Sequence, residues 1–287
     1  MTTLSTPSSA LQRVLAFPVT RIIIAFFCVM VPFLLVQGIA FKLLEHKSLV
    51  VKVCQFLGIC CSYALYCYYV HKVEKRDVSE LSHDNAAREF FGGAFIGALL
   101  IGSIMAVLAV LGAYHVNAIN SPSVMVAPLI MHLTVGMLEE LLMRAIFFRI
   151  IERSLGSVIA LLLSALAFGA GHLVNDNVSV VGMATVVSTG LLLAAAYMNT
   201  GRLWMCVGMH AAWNFVQGGV FSAAVSGGTV HGLLESTFSG PDWLTGGAFG
   251  VEGSVLSLLV TAAATFVLLM RAKRNGRVVL PYWKRAA

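Results

Sequence analysis

Charge is scarce in this chain: Asp, Glu, Lys and Arg together make up 11% of its 287 residues, where soluble domains carry about 25%. Hydrophobic residues make up 59% and the mean hydropathy is +0.87, which excludes a water-soluble core and points to an integral membrane protein. Cysteine is missing from the polar connections. Cys28, Cys54, Cys60, Cys61, Cys67 and Cys206 all fall inside apolar runs, where sulfur behaves as a small hydrophobe, so no disulfide framework is expected. Four of them share a helix with Tyr63, Tyr66, Tyr68 and Tyr69, a set best read as packing residues. Met1 to Ala10 lacks the compact apolar stretch and small-residue cleavage site of a secretory signal, so the first apolar run is expected to stay as an anchor. No internal repeat of the kind that builds inverted-repeat transporters is visible. The net charge of +6 comes from bases clustered beside the apolar runs, which implies a lipid bilayer rather than nucleic acid as the partner.

A membrane span needs about 20 mostly apolar residues. That ruler finds eight: Ile22 to Phe41, Leu49 to Val70, Phe90 to Tyr114, Val124 to Ile150, Gly156 to His172, Val178 to Met198, Leu203 to Ala224 and Val251 to Met270. The expected fold is therefore all-α, a polytopic bundle of about eight transmembrane helices. With the N-terminus inside, fifteen of the nineteen Lys and Arg residues fall on the inner side and only Lys42, Lys47 and Lys52 on the outer, with Arg144 inside a span. This asymmetry predicts both termini in the cytoplasm. The chain divides into N-terminal helices (1–120), a core (121–225), and an outer loop, last helix and basic tail (226–287). The loop from Val225 to Gly250 has no Lys or Arg and mixes turn formers with aromatics; it reads as an extracellular loop, or less simply as a re-entrant lid over a cavity.

The fourth run contains what an apolar helix should not: Glu139-Glu140-Leu141-Leu142-Met143-Arg144. Each ionisable group at bilayer depth costs about 2.5–3.5 kcal/mol, so the three together cost roughly 8–10 kcal/mol before pairing. Residues four apart share a helical face, so Glu140 and Arg144 can pair and brace the helix. Glu139 points elsewhere and is left available for chemistry. A carboxyl in such surroundings can serve as a general base that activates water. Two other runs supply partners, Phe168-Gly-Ala-Gly-His172 and His210-Ala-Ala-Trp-Asn214, and His210 and Asn214 are again four apart. Gly169 and Gly171 are expected to allow close helix approach. His132, two turns before Glu139, has a weaker claim to a role in chemistry, and His46, His71, His83, His115 and His231 are expected to be exposed. By residue type alone, a water-activating site, a metal site and a proton-coupled carrier all remain open, as does a non-enzymatic scaffold or immunity protein.

Taken in order, Glu139-Glu140-x-x-x-Arg144, Phe168-x-x-x-His172 and His210-x-x-x-Asn214 resemble the CPBP family, the type II CAAX prenyl endopeptidases and bacteriocin-processing enzymes also called the Abi family. The resemblance covers roughly Ala127 to Phe215, and no position of the three motifs departs from the family pattern. The loop Leu244-Thr-Gly-Gly-Ala-Phe-Gly and Glu252 are similar to bacterial members, while the first three spans carry no family mark. The resemblance implies an intramembrane endopeptidase in the bacterial inner membrane acting on membrane-associated proteins or peptides. In it Glu139 with His172 would activate the attacking water, His210 with Asn214 would stabilise the oxyanion, and Glu140 and Arg144 would play supporting parts. Glu139, His172 and His210 could also hold a Zn²⁺, although Asn is a poor ligand and the chain has no His-Glu-x-x-His pair; water activation by Glu139 with an optional metal is the favoured expectation.

Overall fold

Where no water is at hand, backbone polar groups must bond to one another, and long apolar runs therefore become helices. The computed structural model describes residues 9–44 and 49–285, so the expectations for Met1 to Ser8, His46 and Lys47 lie outside the described residues. The protein is mostly helical (76%). A short α1 (Ala10–Ala16) opens on a capping box between Ser9 and Gln12. It is followed by α2 (Pro18–Leu43), with proline at its first position, then α3 (Leu49–Tyr69) and α4 (Ala86–Val110). Next, α5 (Val126–Glu140) passes through a π-helical segment, Leu141–Phe148, into α6 (Arg149–Leu155). The remaining helices are α7 (Ser157–Gly171), α8 (Val180–Thr200), α9 (Trp204–Asn214) with a π-helical extension Phe215–Val220, the single turn α10 (Asp242–Thr245), and α11 (Val255–Arg274). The side chains of Ser179 and Ser254 cap α8 and α11.

Six of these units are long and apolar enough to cross a membrane: Pro18–Leu43, Leu49–Glu74, Ala86–Val110, Pro122–Leu155, Val180–Thr200 and Val255–Arg274. Phe91, Phe95 and Leu99 make an outward ridge along α4, 58–69% exposed, a surface suited to acyl chains. The other two expected spans come out shorter. The run Gly156 to His172 is a helix of 15 residues, because Gly156 at φ +83° separates it from α6. In Leu203 to Ala224 regular α-helix stops at Asn214. The last span starts at Val255 rather than Val251, since Gly250 at φ +110° and a tight turn over Val251–Gly253 precede it.

The all-α expectation also needs a correction. Gly112 at φ +68° ends the third helical run early, and β1 (Tyr114–Ile119) pairs antiparallel with β2 (Leu234–Phe238). The partner strand lies more than a hundred residues away, so local pattern could not announce the pairing. It draws the 225–250 loop back against the bundle. The exposure expected for His71, His83, His115 and His231 is observed.

Glycine lets α4 and α9 touch backbone to backbone: a Cβ on Gly208 would fall 2.0 Å from the Phe90 carbonyl oxygen, and one on Gly97 2.2 Å from that of Met209. Gly169 does allow close approach, its Cβ position lying 2.7 Å from a Val187 methyl, but Gly171 has open space around it. At one end of the bundle an unforeseen ionic cluster ties α3 to α6. Arg149 donates to both oxygens of Glu74 at 2.8 and 2.9 Å, Arg76 donates to Glu74 at 2.5 Å and to Glu80 at 2.6 and 2.8 Å, and the Tyr66 hydroxyl donates to Glu80. Tyr63 and Tyr69 likewise bond to backbone carbonyls, of Met137 and Arg21, so these three tyrosines of α3 act in packing, whereas Tyr68 is 63% exposed.

Candidate active site

Gly136 brings α5 against α9: a Cβ there would stand 3.2 Å from the Ala211 nitrogen. This contact sets the two acids beside His210. Immediately after Glu140 the helix widens to π geometry, and α9 does the same immediately after Asn214. Such widenings often accompany functional sites because they re-aim side chains without ending the helix.

Glu140 and Arg144 are both fully buried and form the expected pair, with Nε to Oε2 at 3.2 Å. The alignment is that of a Coulombic contact rather than a hydrogen bond. Arg144 Nη2 donates to the Gly190 carbonyl at 2.9 Å, and its guanidinium lies 5.2 Å from the centre of the Phe168 ring. The sequence did not reveal a third partner: the Nδ1 of His210 is 2.9 Å from Glu140 Oε1. A carboxylate can only accept, so Nδ1 carries the proton and Nε2 is turned outward. His172 is held the same way, with Nδ1–H donating to the Phe168 carbonyl at 2.8 Å. Phe168 packs against both rings, 4.6 Å from His172 and 6.1 Å from His210 between centroids.

Glu139, His172, His210 and Asn214 line one cavity of about 360 Å³. Glu139 is 29% exposed and its Oε2 stands 3.9 Å from His210 Nε2. Its Oε2 has no protein hydrogen-bond partner, and neither does Nε2 of His132, which also lines the cavity. The fit to a metal is poor. Among the described residues no group of three or more His, Cys, Asp or Glu is gathered to hold an ion. The zinc expectation for Glu139, His172 and His210 therefore finds no support in the donor geometry.

Other residues of the site were missed or undervalued in the sequence. The loop after α9 folds over the cavity, with Val225, Ser226, Gly228, Thr229 and Val230 among its lining. Glu252 also lines it, and accepts hydrogen bonds from the backbone and hydroxyl of Ser226. Burial pushes the Glu252 carboxyl up from its ordinary range, against the lowering effect of those bonds and of His172 and His210. Gln217 joins the roof to α9, accepting from Trp213 Nε1 at 3.0 Å and donating to the Ala224 carbonyl at 2.6 Å. A buried Glu just before the last apolar run was the available signal, but nothing local tied it to histidines 40 to 80 residues earlier.

Apolar helices built around an enclosed set of Glu, His and Asn side chains define an integral membrane protein with a polar site in its interior. Residues 121–216, which hold the three motifs, match the family model described as Type II CAAX prenyl endopeptidase Rce1-like. No curated protein matches the chain.

Proposed function

We propose that this protein is an intramembrane endopeptidase that hydrolyses peptide bonds of membrane-associated proteins or peptides by means of activated water. The observation that carries the reading is the meeting of Glu139, His172, His210 and Asn214, from three separate helical units, around one cavity. The family match over 121–216 supports a peptidase.

Glu139 acts as the general base: it takes a proton from water as the oxygen attacks the scissile carbonyl, and later passes that proton to the leaving amine. His172 orients the same water through its outward Nε2. His210 presents Nε2 to the cavity, where as an N–H it donates to the oxyanion together with the Asn214 amide. Glu140 and Arg144 hold His210 in place. The chain crosses the bilayer eight times, with α7 and the α9 unit as the short crossings, and both termini face the cytoplasm of a bacterial inner membrane. Residues 121–225 form the catalytic core, and the flanking segments anchor and roof it. Leader peptides and membrane-protein tails fit the cavity's setting as substrates.

The test is cleavage of membrane peptides by the purified full chain and by Glu139→Gln. The variant should keep its fold and lose cleavage by at least about 10²-fold, the scale of general-base catalysis. Parental activity in Glu139→Gln, or substrate flux in liposomes without proteolysis, overturns the reading.

A further inference from the structure

Far from the cavity, a recess of about 70 Å³ is walled by Pro18, Arg21, Arg149, Arg153 and Ser154. Along the α5–α6 rod its Arg149 lies ten residues from Glu139 of the cavity, about 15 Å at 1.5 Å per residue, and no residue lines both, so it is no extension of the cavity. The volume is well above the ~10–15 Å³ that one water requires, and admits a small oxyanion but not a protein partner.

The three guanidinium groups differ in how they are engaged. Arg149 has each of its three nitrogens engaged, by Glu74 and the Ala145 carbonyl, and serves as wall. Arg21 uses only Nε, on the Leu15 carbonyl at 3.2 Å, which leaves its two terminal nitrogens. Arg153 is exposed and makes no hydrogen bond or ion pair among the described residues. Two open guanidinium forks facing one recess suit the oxygens of a phosphate, which they can bind bidentately.

The height of the recess identifies the source of the phosphate. Pro18 opens the first candidate span and Leu155 closes the fourth, so the recess stands where apolar helices reach the headgroup layer. Exposed Val14 and Phe17 on and after α1 add an apolar surface at the same level, able to rest in the interface. We propose that Arg21 and Arg153 bind the phosphate of an anionic phospholipid headgroup at this recess. The site does not depend on the proteolytic reading.

The experiment titrates the delipidated full chain, in neutral detergent, with phosphatidylglycerol, phosphatidylcholine or inorganic phosphate, and counts bound ligand by native mass spectrometry. Phosphatidylglycerol should bind at least about fivefold more tightly than phosphatidylcholine, and Arg153→Gln should weaken it about five- to tenfold, the effect of one interfacial cation. Arg88→Gln, an exposed base elsewhere, should leave binding unchanged. Since Arg153 makes no internal hydrogen bond or close ion pair, its substitution should leave the fold intact, which thermal unfolding checks. Equal binding of the two lipids, no effect of Arg153→Gln, or an equal loss in Arg88→Gln overturns the proposal. Saturation by inorganic phosphate without lipid preference overturns the lipid as the source.

Discussion

Replacing Arg144 with Ala tests whether the buried ion pair holds the site together. The guanidinium has no solvent exposure and meets three things at once: Glu140 at 3.2 Å, the Gly190 carbonyl at 2.9 Å and the face of Phe168 at 5.2 Å. Its removal leaves Glu140 buried with only His210 opposite, and stranding one partner of a buried pair costs about 3–5 kcal/mol. The poor alignment of the Glu140 contact argues for the lower half of that range. At about 2–4 °C per kcal/mol for a chain of this size, unfolding of the purified protein in detergent should fall by roughly 6–16 °C. The double variant Glu140→Gln with Arg144→Gln removes both charges and should recover at least about 1 kcal/mol relative to the sum of the single changes. It should still lose activity, because the introduced amide no longer presents a carboxylate to His210 Nδ1. A fall of less than about 2 °C in Arg144→Ala, or strict additivity in the double variant, refutes the pairing.

Other consequences follow from particular contacts. Gly208→Ala puts a methyl 2.0 Å from the Phe90 carbonyl oxygen, so α4 and α9 must separate; a loss of about 1–3 kcal/mol and reduced cleavage are expected, whereas Gly171→Ala, with open space around it, should unfold like the parent. The raised Glu252 carboxyl favours its protonated form in the folded state, so the stability it contributes is complete below its ordinary value of 4.5 and is lost as pH rises through its raised value. Unfolding temperatures measured from pH 4 to 8 should therefore show Glu252→Gln gaining on the parent as pH rises; a parallel pair of curves removes this account.

Much of the site was legible because its pairings are local. Glu140 with Arg144, and His210 with Asn214, are one helical turn apart, and helical geometry puts such residues on one face whatever surrounds them. Long apolar runs likewise announced membrane helices, since a backbone in lipid has few ways to satisfy its polar groups. Gly169 and Gly171 show the limit: identical residues two apart in one motif, of which one meets a neighbouring helix and the other faces open space.

The amino-acid order by itself determined the apolar helices, the three polar motifs and the acid–base pair within one turn, because these depend on contacts between near neighbours along the chain. Only the tertiary structure decided that His210 rests on Glu140, that the loop after α9 and Glu252 roof the cavity, that β1 finds β2, and that Glu74, Arg76, Glu80 and Arg149 gather into one cluster. Those contacts join residues tens of positions apart, and they are chosen by which helix faces can approach, a choice that glycines such as Gly136 and Gly208 make through the room they leave.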